Sequence, residues 1–347
     1  MKRFLLFLSL FLLLITPVAL HMLLKSKQTL YVYMWSAYIK PELIERFQQQ
    51  HHCSVIIDTY DSNEAMYTKL TLGGAGYDVI FPSNYFLDQM GNQGLLLELD
   101  TSEIPNAASV DWKFLEKVHV LKTPFGLPYM VSFSGIAWRK DRLRKEPTSW
   151  SIFGCRALKG RMTMLNDMRE TLGAALLYLG YSVNTTSLEE ISQARDVVCH
   201  WKRQLVKLES EQYKNGIASA EYLVVHGYSG DCLQVARYAP HVGFSYPHEG
   251  SVISIDYAAI LKTAHDQKLA KDFLNFLHDP RVAAENMEYV YYRCLNTQAQ
   301  KYLPKDLRES PLLYPERNPA IHFECIQSVG PAQKAYVQAW DVIKGSA

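Results

Sequence analysis

Tyr77-Asp78-Val79-Ile80-Phe81-Pro82-Ser83-Asn84-Tyr85 reads as a short apolar strand that ends at a polar, aromatic corner. Val79, Ile80 and Phe81 form the continuous hydrophobic run of a strand covered on both faces, and Pro82 ends it because proline has no N–H for a ladder. Ser83 is placed to cap a helix carrying Phe86, Leu87 and Met90 at helical spacing. Strand, turn and helix in this order put Ser83 and Tyr85 at the carboxyl end of a strand, where open α/β sheets bind ligands. A plain capped helix with a packed tyrosine fits the same nine residues, so the corner alone leaves both readings open.

The flanking sequence continues the alternation. Upstream, 30–34 reads as a strand, 41–50 as a helix opened by Pro41, 55–59 as a second strand, and 62–72 as a helix capped by Ser62 and ended by Gly73, Gly74 and Gly76. Downstream, Gly94, Pro105, Pro124, Gly126 and Pro128 break up a looser region, and an extended apolar segment at 129–138 leads into the basic run 139–145. A second α/β region follows, with strands near 162–165, 222–225, 242–244 and 251–261. Its helices are expected at 168–179, 187–206 and 230–238, then around a break at Pro280, and finally at 332–343. Such alternation predicts an α/β protein with mixed sheets flanked by helices.

A chain of 347 residues is long enough for two cores. Its formal charge of +1 provides no global field for nucleic acid or an anionic membrane, and the basic run lacks interleaved aromatics, so no nucleic-acid partner is expected. Lys2 and Arg3 followed by the apolar run 4–20 read as an export signal, or as an uncleaved anchor of borderline spanning length. No cysteine near residue 20 could carry a lipid. The six cysteines, Cys53, Cys155, Cys199, Cys232, Cys294 and Cys325, show no metal spacing and read by default as buried free thiols, while export permits disulfides without requiring them. Nothing beside His51, His52 and Cys53 completes a four-ligand set, so no metal site and no cofactor are expected. No phosphate-binding glycine loop is present.

Several residues could carry chemistry. Trp35, Ser36 and Tyr38 follow the first strand as Ser83 and Tyr85 follow the third, so a parallel sheet would raise both groups at one edge. Trp35 either packs on a loop or offers its face to a cation. Asp167 and Glu170 follow a strand and open a helix, which on its own favours a capping box, with a carboxylate pair for an ammonium as the alternative. Asp256 interrupts an apolar extended run and, if buried, needs a cation or several donors. His226-Gly227-Tyr228-Ser229-Gly230-Asp231 approaches a hydrolase nucleophile elbow but has Asp where the second glycine belongs. Adjacent Tyr291 and Tyr292 could supply phenolate ligands to ferric iron.

Taken together, Tyr33-Met34-Trp35-Ser36-Ala37-Tyr38, the segment 59–67, the opening stretch 77–85 and Asn166-Asp167-Met168-Arg169-Glu170 resemble the periplasmic spermidine/putrescine-binding proteins of ATP-binding-cassette uptake systems. The resemblance implies a two-lobed periplasmic-binding fold, with 29–136 plus 257–300 in one lobe and 137–256 plus 301–347 in the other. It implies a non-enzymatic, periplasmic, monomeric receptor that carries a polyamine to a membrane permease. By position it assigns Trp35, Ser36, Tyr38, Ser83, Tyr85, Asp167, Glu170, Tyr228, Asp256, Tyr292 and Gln327 to the ligand. Ser254 departs from it, since the family's spermidine binders carry tryptophan two residues before the equivalent of Asp256. The alternatives are a ferric-ion carrier using Tyr291 and Tyr292, and an exported hydrolase using Ser229 with a histidine such as His241.

Overall fold

The structure is a computed structural model and describes residues 28–73, 76–120 and 122–346; the expected export signal or anchor lies outside these residues. Among the described residues, eleven strands form one connected sheet. They are β1 (Thr29–Trp35), β2 (Ser54–Tyr60), β3 (Val79–Ile80), β4 (Leu127–Arg139), β5 (Met162–Met164), β6 (Lys207–Leu208), β7 (Val224–Tyr228), β8 (Val242–Ser245), β9 (Ser251–Ile260), β10 (Arg293–Cys294) and β11 (Phe323–Cys325). The main path runs β2-β1-β3-β9-β4-β7-β5-β6, with β8 and β10 on β4 and β11 on β9.

The first three strands pair in parallel through two helical crossovers. Pro41 opens the helix Pro41–His51, where its missing N–H costs nothing, and Leu43, Ile44 and Phe47 turn one stripe into the core. The next helix, Asn63–Thr71, starts where the Ser62 hydroxyl accepts the Ala65 amide. Both crossovers return the chain so that the carboxyl ends of β1 and β3 lie side by side.

β4 and β9 join this unit to the rest of the molecule, and every residue of both strands is buried. Leu127 to Phe133 of β4 pair antiparallel with β9, whereas Ser134 to Trp138 pair with β7 and Ile136 to Arg139 with β8. β9 in turn meets β11 at one end and β3 at the other. The helices Met168–Tyr178, Leu188–Lys202 and Gln333–Gly345 cover the β5–β7 region. Gly135 lies where β4 passes from one set of partners to the other, and a Cβ there would sit 2.6 Å from the Phe244 ring and 2.8 Å from the Ser245 carbonyl. Gly135→Ala is expected to destabilise the fold by about 1 to 3 kcal/mol through overpacking, read as a lower midpoint of thermal unfolding.

Two expected elements are shorter than their sequence suggests. The helix near 187–206 stops at Lys202 because the Val206 amide is taken by the Met162 carbonyl, which draws the tail into an extended path leading to β6. β3 holds only Val79 and Ile80. The short helices Trp112–Lys117 and Tyr213–Ala218 carry no clear periodicity in the sequence. Cys53, Cys232, Cys294 and Cys325 are buried, and Cys155 and Cys199 are partly so. No described helix is long and apolar enough to cross a membrane.

Candidate functional site

β1 ends at Trp35, and the turn after it holds Ala37 at φ +51°, a left-handed conformation that costs a residue with a Cβ about 1 to 2 kcal/mol. This turn swings the Tyr38 side chain inward, where its hydroxyl donates to Asp256 Oδ2 at 2.7 Å. Ser83 donates to Asp256 Oδ1 at 2.7 Å. Ser83 does precede a helix, Asn84–Asn92, but its hydroxyl makes no cap bond there because the carboxylate on β9 takes it. Asn63 holds Ser83 on both sides, accepting its amide at 3.1 Å and donating to its hydroxyl at 3.1 Å. The Trp35 indole N–H is fixed on the Phe81 carbonyl at 3.0 Å.

Asp256 is 6% exposed. Burial pushes its carboxyl up to about 6; the Tyr38 and Ser83 hydroxyls pull it down, and the charge of Asp167 pushes it up again. Two neutral donors hold this carboxylate, and no cationic side chain forms an ion pair with it among the described residues.

Asp167 serves two purposes. Its Oδ1 caps the helix Met168–Tyr178, accepting the Arg169 and Glu170 amides at 3.0 Å each, while its Oδ2 faces the Tyr228 hydroxyl at 3.4 Å. Burial raises its pKa against the pull of those two amides. Glu170, the third residue of the same helix, is deeply buried, with Oε2 lacking a hydrogen-bond partner among the described residues. Burial first, and the Asp167 charge second, push the Glu170 carboxyl well up.

Tyr228 ends β7, and the helix Ser229–Tyr238 begins immediately after it. The residues that approach a hydrolase elbow have another geometric use here. A Cβ at Gly230 would stand 2.4 Å from the Tyr292 ring, so glycine lets helix and ring close together. Asp231 turns into the cleft and accepts the Tyr213 hydroxyl at 2.7 Å, with the Lys214 ammonium 3.3 Å away. Ser229 is buried with the Tyr246 hydroxyl beside it, and His241 is exposed at the start of β8. Tyr291 and Tyr292 diverge. Tyr291 takes a left-handed conformation at the end of the helix Pro280–Val290 and lies beneath the Arg237 guanidinium, while Tyr292 enters the cleft edge-on to Tyr38 at 5.1 Å. The described residues contain no group of three or more His, Cys, Asp or Glu arranged to hold a metal.

Of the side chains singled out from sequence, Trp35, Ser36, Tyr38, Ser83, Asp167, Tyr228, Asp256 and Tyr292 border one cleft enclosing about 580 Å³, part of it open to solvent. Ser254, the position at which the resemblance would have tryptophan, also borders it. Tyr85, Glu170 and Gln327 do not line it. Glu170 is packed behind Asp167, and Tyr85 and Gln327 border a neighbouring groove, where Gln327 Nε2 donates to the His119 carbonyl at 3.0 Å. Sequence reasoning missed Asp61, Glu211, Lys214 and Asp231. Asp231 carried the one available signal, an acidic residue in the first turn of a helix that follows a strand. Ser36 donates to Glu211 at 2.9 Å across the mouth of the cleft. The cleft combines carboxylates with aromatic faces and can hold a cation with apolar segments by charge-assisted hydrogen bonds and cation–π contacts.

A family model described as bacterial extracellular solute-binding protein matches residues 42–315. The chain is 30% identical over 321 residues to the spermidine/putrescine-binding periplasmic protein of Escherichia coli, covering 92% of each chain. It is 31% identical over 344 residues to a putrescine-binding periplasmic protein of Pseudomonas aeruginosa, again covering 92% of each. Its structure superposes on that of the PotD lipoprotein of Treponema pallidum with a TM-score of 0.81 and 32% identity, covering 91% of this chain and 99% of the other. The architecture is therefore the periplasmic-binding-protein fold that the sequence resemblance implied, and the chain belongs to the bacterial extracellular solute-binding protein family.

Proposed function

We propose that the protein captures a polyamine, spermidine and/or putrescine, in the cleft between two lobes and delivers it to the membrane permease of an ATP-binding-cassette transporter. One observation carries this reading. Asp256 is a buried carboxylate supported by two neutral hydroxyls, with no ion pair to a cationic side chain among the described residues, inside a cleft walled by Trp35, Tyr38, Tyr228 and Tyr292. An ammonium brought by a ligand would complete that site, and aromatic faces would cover the methylenes beside it. The polyamine-binding names of the relatives point to the same ligand class.

In this reading 29–136 plus 257–300 form one jaw and 137–256 plus 301–347 the other. β4 and β9 are the connections about which they close. The protein acts outside the cytoplasm as a monomeric carrier, not an enzyme and not a binder of nucleic acid. Trp35, Ser36, Tyr38, Ser83, Asp167, Tyr228, Asp256 and Tyr292 contact the ligand, while Tyr85, Glu170 and Gln327 support the cleft from behind.

Titration calorimetry against putrescine, cadaverine, spermidine and spermine tests the assignment, and absence of binding to all four would remove it. Glu170→Gln separates supporting from contacting residues. Burial favours the neutral form of Glu170, which glutamine mimics, so the variant is expected to lose less than about tenfold in affinity at pH 7. A loss as large as that from replacing Asp256 would place Glu170 among the ligand contacts.

A further inference from the structure

The charges around the cleft are unequal in a way that bears on which polyamine it takes. Asp61, Asp167, Glu211, Asp231 and Asp256 border it, against one ammonium, that of Lys214. Asp61 and Glu211 are exposed at the rim, whereas Asp167, Asp231 and Asp256 are 9%, 8% and 6% exposed. These three buried carboxylates are not equivalent. Asp256 has two hydroxyls, and Asp167 has two backbone amides and a tyrosine hydroxyl. Asp231 alone has a lysine, 3.3 Å away, in addition to the hydroxyl of Tyr213.

We propose that Lys214 limits the ligand to two ammonium groups, because its own ammonium occupies the third buried carboxylate of the cleft from within the protein. Lys214 is placed for this by the short helix Tyr213–Ala218, whose first residue, Tyr213, is fully buried and bonded to the same carboxylate oxygen. Lysine and tyrosine thus satisfy Asp231 together before any ligand arrives. Burial disfavours the charged lysine, but Asp231 and then Glu211 outweigh burial, and the group stays protonated. A diamine meets Asp256 and Asp167 with its two charges and leaves this pair intact. A triamine must place its additional charge at the solvated rim or displace Lys214 from Asp231, and it forgoes a buried partner in either case.

This inference rests on the polyamine reading and names the ligand class within it. The test is the ratio of putrescine to spermidine affinity, measured by calorimetry on the wild type, Lys214→Met and Lys214→Arg. Methionine keeps an apolar stem of similar length without the charge, and arginine keeps the charge. The wild type is expected to prefer putrescine, and Lys214→Met to shift the ratio toward spermidine by about tenfold or more. Lys214→Arg should retain the wild-type preference. Should Lys214→Met be too unstable for calorimetry, spermidine should raise its melting temperature by more than putrescine does, the reverse of the wild type. A wild-type protein that binds both ligands, with a ratio that moves less than threefold in Lys214→Met, overturns the role of Lys214 and leaves the polyamine reading standing. A wild-type protein that binds neither overturns both.

Discussion

Asp256→Asn is expected to weaken polyamine binding by about 2 to 5 kcal/mol, roughly 30- to 4,000-fold, the range seen when one partner of a desolvated charge pair is neutralised. Asparagine keeps the shape and one acceptor oxygen, so either Tyr38 or Ser83 can still donate to it. The other hydroxyl meets an N–H₂ and must reorient. What is lost is the charge that faces the ligand. The unliganded variant should melt no lower than the wild type at pH 8, because it removes a buried charge that neutral hydroxyls support. Calorimetry and thermal unfolding together therefore separate a lost contact from a lost fold. An affinity for both putrescine and spermidine within threefold of the wild type would show that Asp256 does not hold an ammonium.

The pH dependence should run in opposite directions with and without ligand. In the unliganded protein the Asp256 carboxyl is pushed up to about 6 from an ordinary 3.8, so between these values the folded state binds more protons than the unfolded chain. Stability is then highest below pH 4 with respect to this group and declines as the pH rises through 6, by about 3 kcal/mol in all. Asp167 and Glu170, also raised by burial, act in the same direction. Polyamine binding requires the ionised carboxylate, so affinity should rise with pH and level off above about 6 for Asp256, falling about tenfold per unit below that. Calorimetry from pH 5 to 8 in buffers of different ionisation enthalpy should reveal proton release on binding. An affinity independent of pH across that range would contradict a raised Asp256 pKa.

The repeating strands and helices were legible because their apolar residues recur with the right period. Leu43, Ile44 and Phe47 show one helix face, and the run around Val79 shows a strand covered on both sides. Asp256 was legible for the opposite reason, as a charge that breaks an apolar run. Ser83 was half legible. Its position before a helix is a local property, but the destination of its hydroxyl is a carboxylate 173 positions away, which no window of sequence contains. Lys214 and Glu211 belong to a short helix and the turn before it, with no periodic pattern, and only the packing of Tyr213 brings them to the cleft. Tyr85 and Glu170 were read from a strand end and a helix start and again from resemblance, Gln327 from resemblance alone, and none of these signals distinguishes a cleft wall from the layer behind it.

β4 has a consequence for how ligand length can change. Asp256 stands opposite Met130 and Tyr228 opposite Ser134, on the two sides of this one strand. Their offset along β4 is therefore counted in its residues, four from Met130 to Ser134, or about 13 Å. Such a ruler has coarse graduations. Inserting or deleting one residue between the marks moves them by about 3.3 Å and turns one set of side chains to the opposite face of the sheet, out of the cleft. Descendants of this chain that take longer or shorter ligands must then leave the strand alone and alter what hangs from it, one side chain at a time.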